Sequence, residues 1–216
     1  MSTERRAPLD RGRVAETALR LLNETGLDGL TLRAIAGELD VKAPALYWHF
    51  KDKQALLDEM ATEMYRRMVA GTSLDPADTW RERLLKVNRG LRTALLGYRD
   101  GAKVFSGSRF TGLDHARHME ADLRVLTGAG LTLAQAVHAG RTATAYTVGF
   151  VTEEQGVRPL PGERREGFDV EERAHRMAGF PLAAAAGHLL FDGYDAQFEE
   201  GLALVVAGVG ARYGLG

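Results

Sequence analysis

Apolar residues along this chain fall three and four apart in almost every segment, and no stretch alternates with period two for long. The pattern predicts helices throughout and no sheet. Val14, Ala18, Leu21 and Leu22 mark a first helix over residues 10–25, with Gly26 as its stop. Leu32, Ile35, Ala36 and Leu39 give a second, short helix one apolar stripe, and the Thr31 hydroxyl is placed to accept a bond from an orphan amide at its start. Asp40 suits left-handed backbone at a tight turn. Pro44 then suits the first turn of a third helix, where its missing amide had no partner to lose. That helix is barely two turns long, yet it carries Tyr47, Trp48 and His49 in a row. Three large amphipathic side chains cannot all face one core, so at least one or two must point outward. Residues 31–53 therefore read as a helix-turn-helix whose function lies in its outward side chains.

Asp52 is placed to cap a fourth helix that reaches residue 68 on Leu56, Met60 and Met64, and residues 69–74 form a joint. Asp75 followed by Pro76 reads as the start of a fifth helix, with the stripe Trp80, Leu84, Val87, Leu91 and Leu95. Arg99-Asp100-Gly101 opens a short irregular helix to 105, and a seventh helix spans 112–126. Thr132 with Gln135 makes a capping box for an eighth over 132–154. Residues 155–179, rich in Pro, Gly, Arg and Glu, read as a mobile surface loop. A short helix at 182–190 and a last one at 195–212 complete an all-α chain. The eighth and last helices are unusual in their small residues, among them Gly140, Gly149, Gly201, Ala207 and Gly208. Glycine inside a helix costs up to about 1 kcal/mol relative to alanine, and close approach of another helix offsets that cost. Burial of both helices within one chain is the competing explanation.

Composition narrows the function. With no cysteine, disulfides, thiolate metal sites and cysteine catalysis are excluded. Ser106 and Ser108 lack an activating neighbour in sequence, and there is no phosphate-cradling glycine loop. His115 and His118 lie one turn apart without an acidic partner and read as surface histidines. No enzyme activity, metal or cofactor is expected. The chain opens on no secretory signal, and its longest apolar stretch, 202–211, is too short to span a bilayer, so a cytoplasmic protein without membrane association is expected. The net charge is −1, and residues 1–53 hold nine Lys+Arg against eight Asp+Glu. Placement therefore matters more than bulk charge: Arg5, Arg6, Arg11 and Arg13 crowd the N-terminus, while Arg33, Lys42, Lys51 and Lys53 surround the third helix.

The run LYWHFKDKQALLD, residues 46–58, resembles the recognition helix and following helix of the tetracycline-repressor (TetR) family of bacterial regulators. YRDGAKV at 98–104 and GFVTEEQ at 149–155 resemble the tetracycline-repressor subgroup itself. The resemblance covers residues 9 to about 213 and is poor over 158–176. It implies an N-terminal arm and three-helix reading head (1–53), a connecting helix (54–70) and a larger helical ligand-binding and dimerisation domain (71–216). It also implies a homodimer through the helices at 132–154 and 195–212, a double-stranded DNA operator and a small-molecule effector. Two-fold symmetry fits the chemistry, since one two-turn reading helix contacts too few bases for useful specificity.

By that resemblance Arg33 is the base reader, its fork suited to guanine O6 and N7 together. Ala43, Pro44 and Ala45 match groove-facing positions, but being small and apolar they offer only contacts to thymine methyls, so the operator should differ from the tetracycline one. Lys42 is the candidate to fill that gap. Thr31, Tyr47, Trp48, His49 and Lys53 match phosphate-contacting positions; core packing competes for Tyr47 and Trp48, and a solvated surface for Lys53. The N-terminal arginines either track an adjacent groove or have no fixed role.

The effector site departs from the subgroup. Phe105 stands where the resemblance puts a metal-ligating His, Val87 where it puts a ring-binding Asn, Asp122 a ring-binding Gln and Val69 a further His. Glu153 alone keeps the acidic position. The expected pocket is lined by Tyr65, Met68, Val87, Leu91, Phe105, Val137 and Thr144, with Arg109, Asp122 and Arg141 as polar handles. It suits a planar or bulky apolar molecule with a few oxygens rather than tetracycline with magnesium. Arg141 has two candidate partners, the ligand or a second subunit. A regulator that activates or acts without ligand, and a helix-turn-helix used only for protein contacts, are the alternatives.

Overall fold

The computed structural model describes residues 9–216, and among them eleven helices and no strand. Arg5 and Arg6 lie outside the described residues. Helix α1 (Arg11–Gly29) starts at Asp10, whose carboxylate accepts from the Arg13 amide at 2.8 Å. Gly26, at φ 68°, kinks the helix rather than ending it, and a last turn continues to Gly29. Helix α2 (Leu32–Glu38) is capped by Thr31, which accepts from the Ala34 amide at 3.1 Å. Asp40 sits in the turn at φ 51°, as its short polar side chain permits. Helix α3 (Ala43–Tyr47) has Pro44 in its first turn, and α4 (Lys53–Gly71) is capped by Asp52 through the Ala55 amide at 2.8 Å.

Burial explains why this head closes. Leu46 and Phe50, flanking the outward trio, pack under Leu19, Leu22, Ile35, Leu56 and Met60. Arg11 fastens the rim: its Nε donates to Glu59 at 2.7 Å, another nitrogen to the His49 carbonyl at 2.5 Å, and its guanidinium lies 4.6 Å from the Phe50 ring centroid. It is thus committed to the fold.

Helix α5 (Trp80–Leu96) begins later than Asp75–Pro76 predicts. Residues 75–78 instead close a turn, with the Asp78 amide donating to the Asp75 carbonyl at 3.0 Å. The helix starts on a capping box formed by Thr79 and Glu82. Helices α6 (Gly101–Phe105), α7 (Asp114–Gly128) and α8 (Leu133–Val157) follow, the last opening on the Thr132–Gln135 capping box. The segment expected to be loop from 155 to 179 contains α9 (Val170–Arg176). Asp169 accepts from the amides of Glu171 and Glu172, Val170 is buried, and the Arg173 guanidinium lies 5.4 Å from the Phe191 centroid, so a tertiary contact orders a polar sequence. Helices α10 (Pro181–Phe191) and α11 (Tyr194–Tyr213) complete the chain.

Two cores result. One runs from α1–α4 through Met64 and Met68 into Leu91, Leu95, Ala102 and Val151 of α5, α6 and α8. The other joins α5, α7, α8 and α11 around Trp80, Leu84, Leu126, Ala139, Phe198 and Leu202. Part of the small-residue pattern serves this second core: a Cβ on Gly201 would lie 2.1 Å from the Tyr146 hydroxyl. Arg92 binds α5, α8 and α11 together through Glu154 at 2.9 Å and Asp195 at 2.7 Å.

Residues 97–101 join the first core to the end of α1. The Asp100 carboxylate accepts from the Leu27 amide at 3.0 Å, and Asn23 accepts from the Arg99 amide at 2.9 Å while donating to the Gly97 carbonyl. On the other side Gln155 of α8 accepts from the Ala102 amide at 3.1 Å and donates to the Tyr98 carbonyl at 2.6 Å. Gly101 allows this: a Cβ there would sit 2.2 Å from the Leu95 carbonyl oxygen. Gly101→Ala should therefore destabilise the chain by about 2 kcal/mol or more, read as a lower urea midpoint; an unchanged midpoint would mean that the contact yields freely.

Candidate functional site

Around the helix-turn-helix, packing sorts side chains by face. Leu46 and Phe50 point inward, so the positions between them point out: Tyr47 is 57% exposed and Trp48 90%. Core packing is therefore not what holds these two aromatics. Thr31, Arg33, Lys42 and Pro44 are exposed as well, while Ala43, Ala45 and His49 are half-buried. Arg33 and Lys42 engage no other described side chain, which leaves two cations beside an exposed Trp and Tyr. Lys53 is exposed and donates to the Leu27 carbonyl at 3.1 Å, so it serves the fold and retains two further N–H donors for solvent or phosphate. Such a surface pairs flat amphipathic rings with point and fork cations, the chemistry that phosphate and base edges require.

The expected effector set splits in two. Val87, Asp122, Val137, Arg141 and Thr144 come together around a cavity of about 310 Å³ between α5, α7 and α8. Leu84, Leu123, Leu126 and Ala136 complete its apolar wall, and sequence reasoning missed Arg83 and Asn88 on it. The signal was available for Arg83, which lies one helical turn before Val87 on the same face of α5. Arg83 and Asp122, 3.3 Å apart, also wall a larger recess of about 850 Å³ that includes Val69, Leu74 and His118. The pair thus stands between two openings. Burial pushes the Asp122 carboxyl up from its ordinary range, and the Arg83 charge pulls it only partway back. Asn88 is buried, its side chain donating to the Leu84 carbonyl and accepting from the Thr147 hydroxyl at 2.9 Å.

The other expected residues are elsewhere. Leu91 is part of the first core. Met68 is buried and borders a separate groove with Arg67, Thr72 and Arg89. Arg109 is exposed, and its amide donates to Asp58. Tyr65 and Phe105 pack against Phe110, with ring centroids 4.7 and 5.5 Å away, and His115 and His118 lie at the edge of the same cluster. Phe110 was not legible as a site residue, because only the loop path after α6 brings it over Tyr65. The residues present do not fit magnesium: Phe105 offers no ligand atom and packs against the Phe110 ring, Glu153 is exposed on α8, and among the described residues no three His, Cys, Asp or Glu gather to hold a metal. Its neighbour Glu154 is the buried carboxylate, held by Arg92.

Comparison with known proteins places both halves of this arrangement. Residues 14–60 match the family model "Bacterial regulatory proteins, tetR family", and residues 72–213 match "Tetracyclin repressor-like, C-terminal domain". The chain belongs to the TetR family. It is a DNA-binding, ligand-responsive regulator of that family. It is 42% identical over 200 residues to the tetracycline repressor protein class A from transposon 1721 of Escherichia coli, covering 92% of this chain and 89% of the relative. A possible TetR family regulator from Streptomyces coelicolor A3(2) superposes with a TM-score of 0.79 at 37% identity, covering 94% of this chain and 99% of that one. A TetR variant from Acinetobacter baumannii AYE, solved with minocycline, superposes with a TM-score of 0.72 at 34% identity, covering 95% and 99%. The two matches leave residues 61–71 between them, the C-terminal part of α4, the helix that carries the first core from the head into the body. No helix among the described residues is long and apolar enough to cross a membrane.

Burial, aided by the nearby Asp122 charge, raises the Tyr65 hydroxyl from 10.0 to about 12. Tyr65 then stays protonated in the folded chain while the unfolded chain ionises first, so stability should fall as pH rises from 10.0 to about 12. Tyr65→Phe should lose less over that window, measured by urea midpoints at its two ends. An equal loss in both proteins would show that Tyr65 does not carry the effect.

Proposed function

We propose that this TetR-family chain is a homodimeric repressor that binds a palindromic operator and leaves it when a small, largely apolar molecule fills the cavity between α5, α7 and α8. On this reading residues 1–53 are the reading head, 54–70 the connecting helix and 71–216 the ligand-binding and dimerisation domain. The observation that carries it is the exposed face of the helix-turn-helix, where Arg33, Lys42, Pro44, Tyr47 and Trp48 all stand clear of the core. A helix-turn-helix used for protein contacts would not need unengaged cations around its aromatics. Arg33 reads a base edge; Thr31, Tyr47, Trp48, His49 and Lys53 anchor phosphates; Ala43, Pro44 and Ala45 lie against the groove, with Lys42 beside them.

Dimerisation uses α8 and α11. Leu204 is 66% exposed, and Ala203, Ala207 and Gly208 beside it are also exposed, an apolar and small-residue face that close helix packing would bury. Release follows from differential affinity: the ligand must prefer the form whose heads no longer match the half-site spacing. The route runs from the cavity wall on α5 to residues 97–101, which follow directly on α5 and grip Asn23 and Leu27 of α1. Tetracycline with magnesium is not the proposed effector, because Phe105 and Phe110 fill the region where the metal would need ligands.

Selection from random duplex DNA should enrich a palindrome with half-sites about one helical turn apart; no enrichment by folded protein would remove the operator from this account. Arg33→Ala should cost about 1–3 kcal/mol of operator affinity and relax preference at one position per half-site, measured by fluorescence anisotropy on the enriched site. Leu204→Arg should yield monomer in sedimentation velocity at micromolar protein. A dimer that survives it would move the interface off α11.

A further inference from the structure

The cavity between α5, α7 and α8 has an unusual charge distribution. Its walls are mostly apolar, yet they include Arg141 of α8, whose solvent-exposed side chain makes no hydrogen bond or ion pair to any described residue. The Arg83 side chain, also on this wall, is only 5% exposed. Its terminal nitrogens are committed to the Asp75 carbonyl at 2.5 Å, Asp78 at 3.6 Å and Asp122 at 3.3 Å. The Arg83 Nε is buried and has no partner. A buried donor left without an acceptor costs free energy, so Arg83 is already strained by its commitments and cannot take on a further charge partner cheaply.

The charged groups on the cavity wall are Arg83, Arg141 and Asp122. Asp78, already engaged by Lys86, and Asp122 answer Arg83; no described residue answers Arg141, so a ligand that displaces solvent from it must supply the counter-charge. A cationic ligand would meet this surplus of like charge. A neutral one would leave both guanidinium groups as they are. A planar carboxylate matches the guanidinium fork and carries one charge, the amount unanswered. A phosphate monoester, doubly charged, would need a second free cation, and the wall has none. We infer that the effector is an organic acid, an apolar body bearing one carboxylate, with Arg141 as its anchor. The inference rests on reading this cavity as the effector site.

Trp80 belongs to the same apolar cluster as Leu84, Leu126 and Ala136 of the cavity wall, and Trp48 is the only other tryptophan. In a Trp48→Phe protein, fluorescence therefore reports on the cavity side alone. The probes are 2-naphthoate and decanoate, each against its primary amide, at about pH 7, where a carboxylic acid is ionised. At least one acid should quench saturably and bind about tenfold or more tighter than its amide. Arg141→Gln should abolish that preference, Arg141→Lys should keep part of it, and Arg176→Gln, a surface arginine paired with Glu172, should keep all of it. Equal binding of acid and amide, a preference that survives Arg141→Gln, or no binding of either acid to folded protein would each overturn the assignment. Operator release is scored separately by anisotropy. An acid that binds through Arg141 yet leaves the operator bound supports the site chemistry and defeats the effector reading; release by an amide but not by its acid does the reverse.

Discussion

Where α1 breaks at Gly26, the amide of Leu27 loses its intrahelical acceptor, and the carboxylate of Asp100 takes it from 73 residues away in sequence. Much else depends on that bond. For Asp100 to reach it, its backbone takes the left-handed conformation at φ 55°, and Gly101 must follow because no Cβ fits beside the Leu95 carbonyl. Burial opposes the Asp100 charge, but the Leu27 amide and Lys103 outweigh it and hold the carboxyl below its usual range. Each residue of the Arg99-Asp100-Gly101 motif thus contributes something different. Arg99 clamps Asn23, Asp100 supplies the acceptor for Leu27, and Gly101 contributes an absence of bulk. The apolar core that passes through Met64, Leu95, Ala102 and Val151 makes the junction stiff on its other side. On the proposed reading, a displacement of α5 passes through this junction to the end of α1, which packs in one core with the helix-turn-helix.

The same economy explains the helix proposed to face DNA. Two buried residues, Leu46 and Phe50, fix the helix and its exit, and Arg11 covers Phe50 while bonding to Glu59. With rotation so constrained, Tyr47 and Trp48 have nowhere to go but outward. Exposing a tryptophan to that extent forfeits a large hydrophobic contribution to folding, and a rigid base beneath it keeps the ring oriented for a partner. Arg11 shows the converse, a cation near the reading face whose charge is used up internally.

In the body, aromatic packing and buried charge divide the space between helices. Tyr65, Phe105 and Phe110 pack together at one end, where Phe105 offers no ligand atom to a metal. At the other end the Arg83–Asp122 pair partitions the openings, since neither group can be moved from its partner without stranding a charge in low dielectric. What remains is a small apolar chamber with the solvent-exposed Arg141, paired to no described residue, on its wall.

The helices and most of their starts were legible from the order of residues alone. Thr31, Asp52, Asp40 and the Thr132–Gln135 pair act on backbone within four positions, so their effect is local. The exposure of Trp48 was legible too, from crowding. Long-range packing settled the remainder. Asp75–Pro76 and Thr79–Glu82 are both sound local starts for α5, and the helix takes the second, with Arg83 drawing the Asp75 carbonyl and Asp78 into a turn. The polar stretch 155–179 orders α9 only because Val170 and Arg173 find α10. The cavity was half legible: Val87, Asp122, Val137, Arg141 and Thr144 converge as expected, while Tyr65 and Phe105 turn to Phe110 and Arg83 enters unannounced. Helix periodicity fixes which face a residue occupies, but which neighbour that face meets depends on how α7 lies across α5 and α8, and no spacing within one helix encodes that.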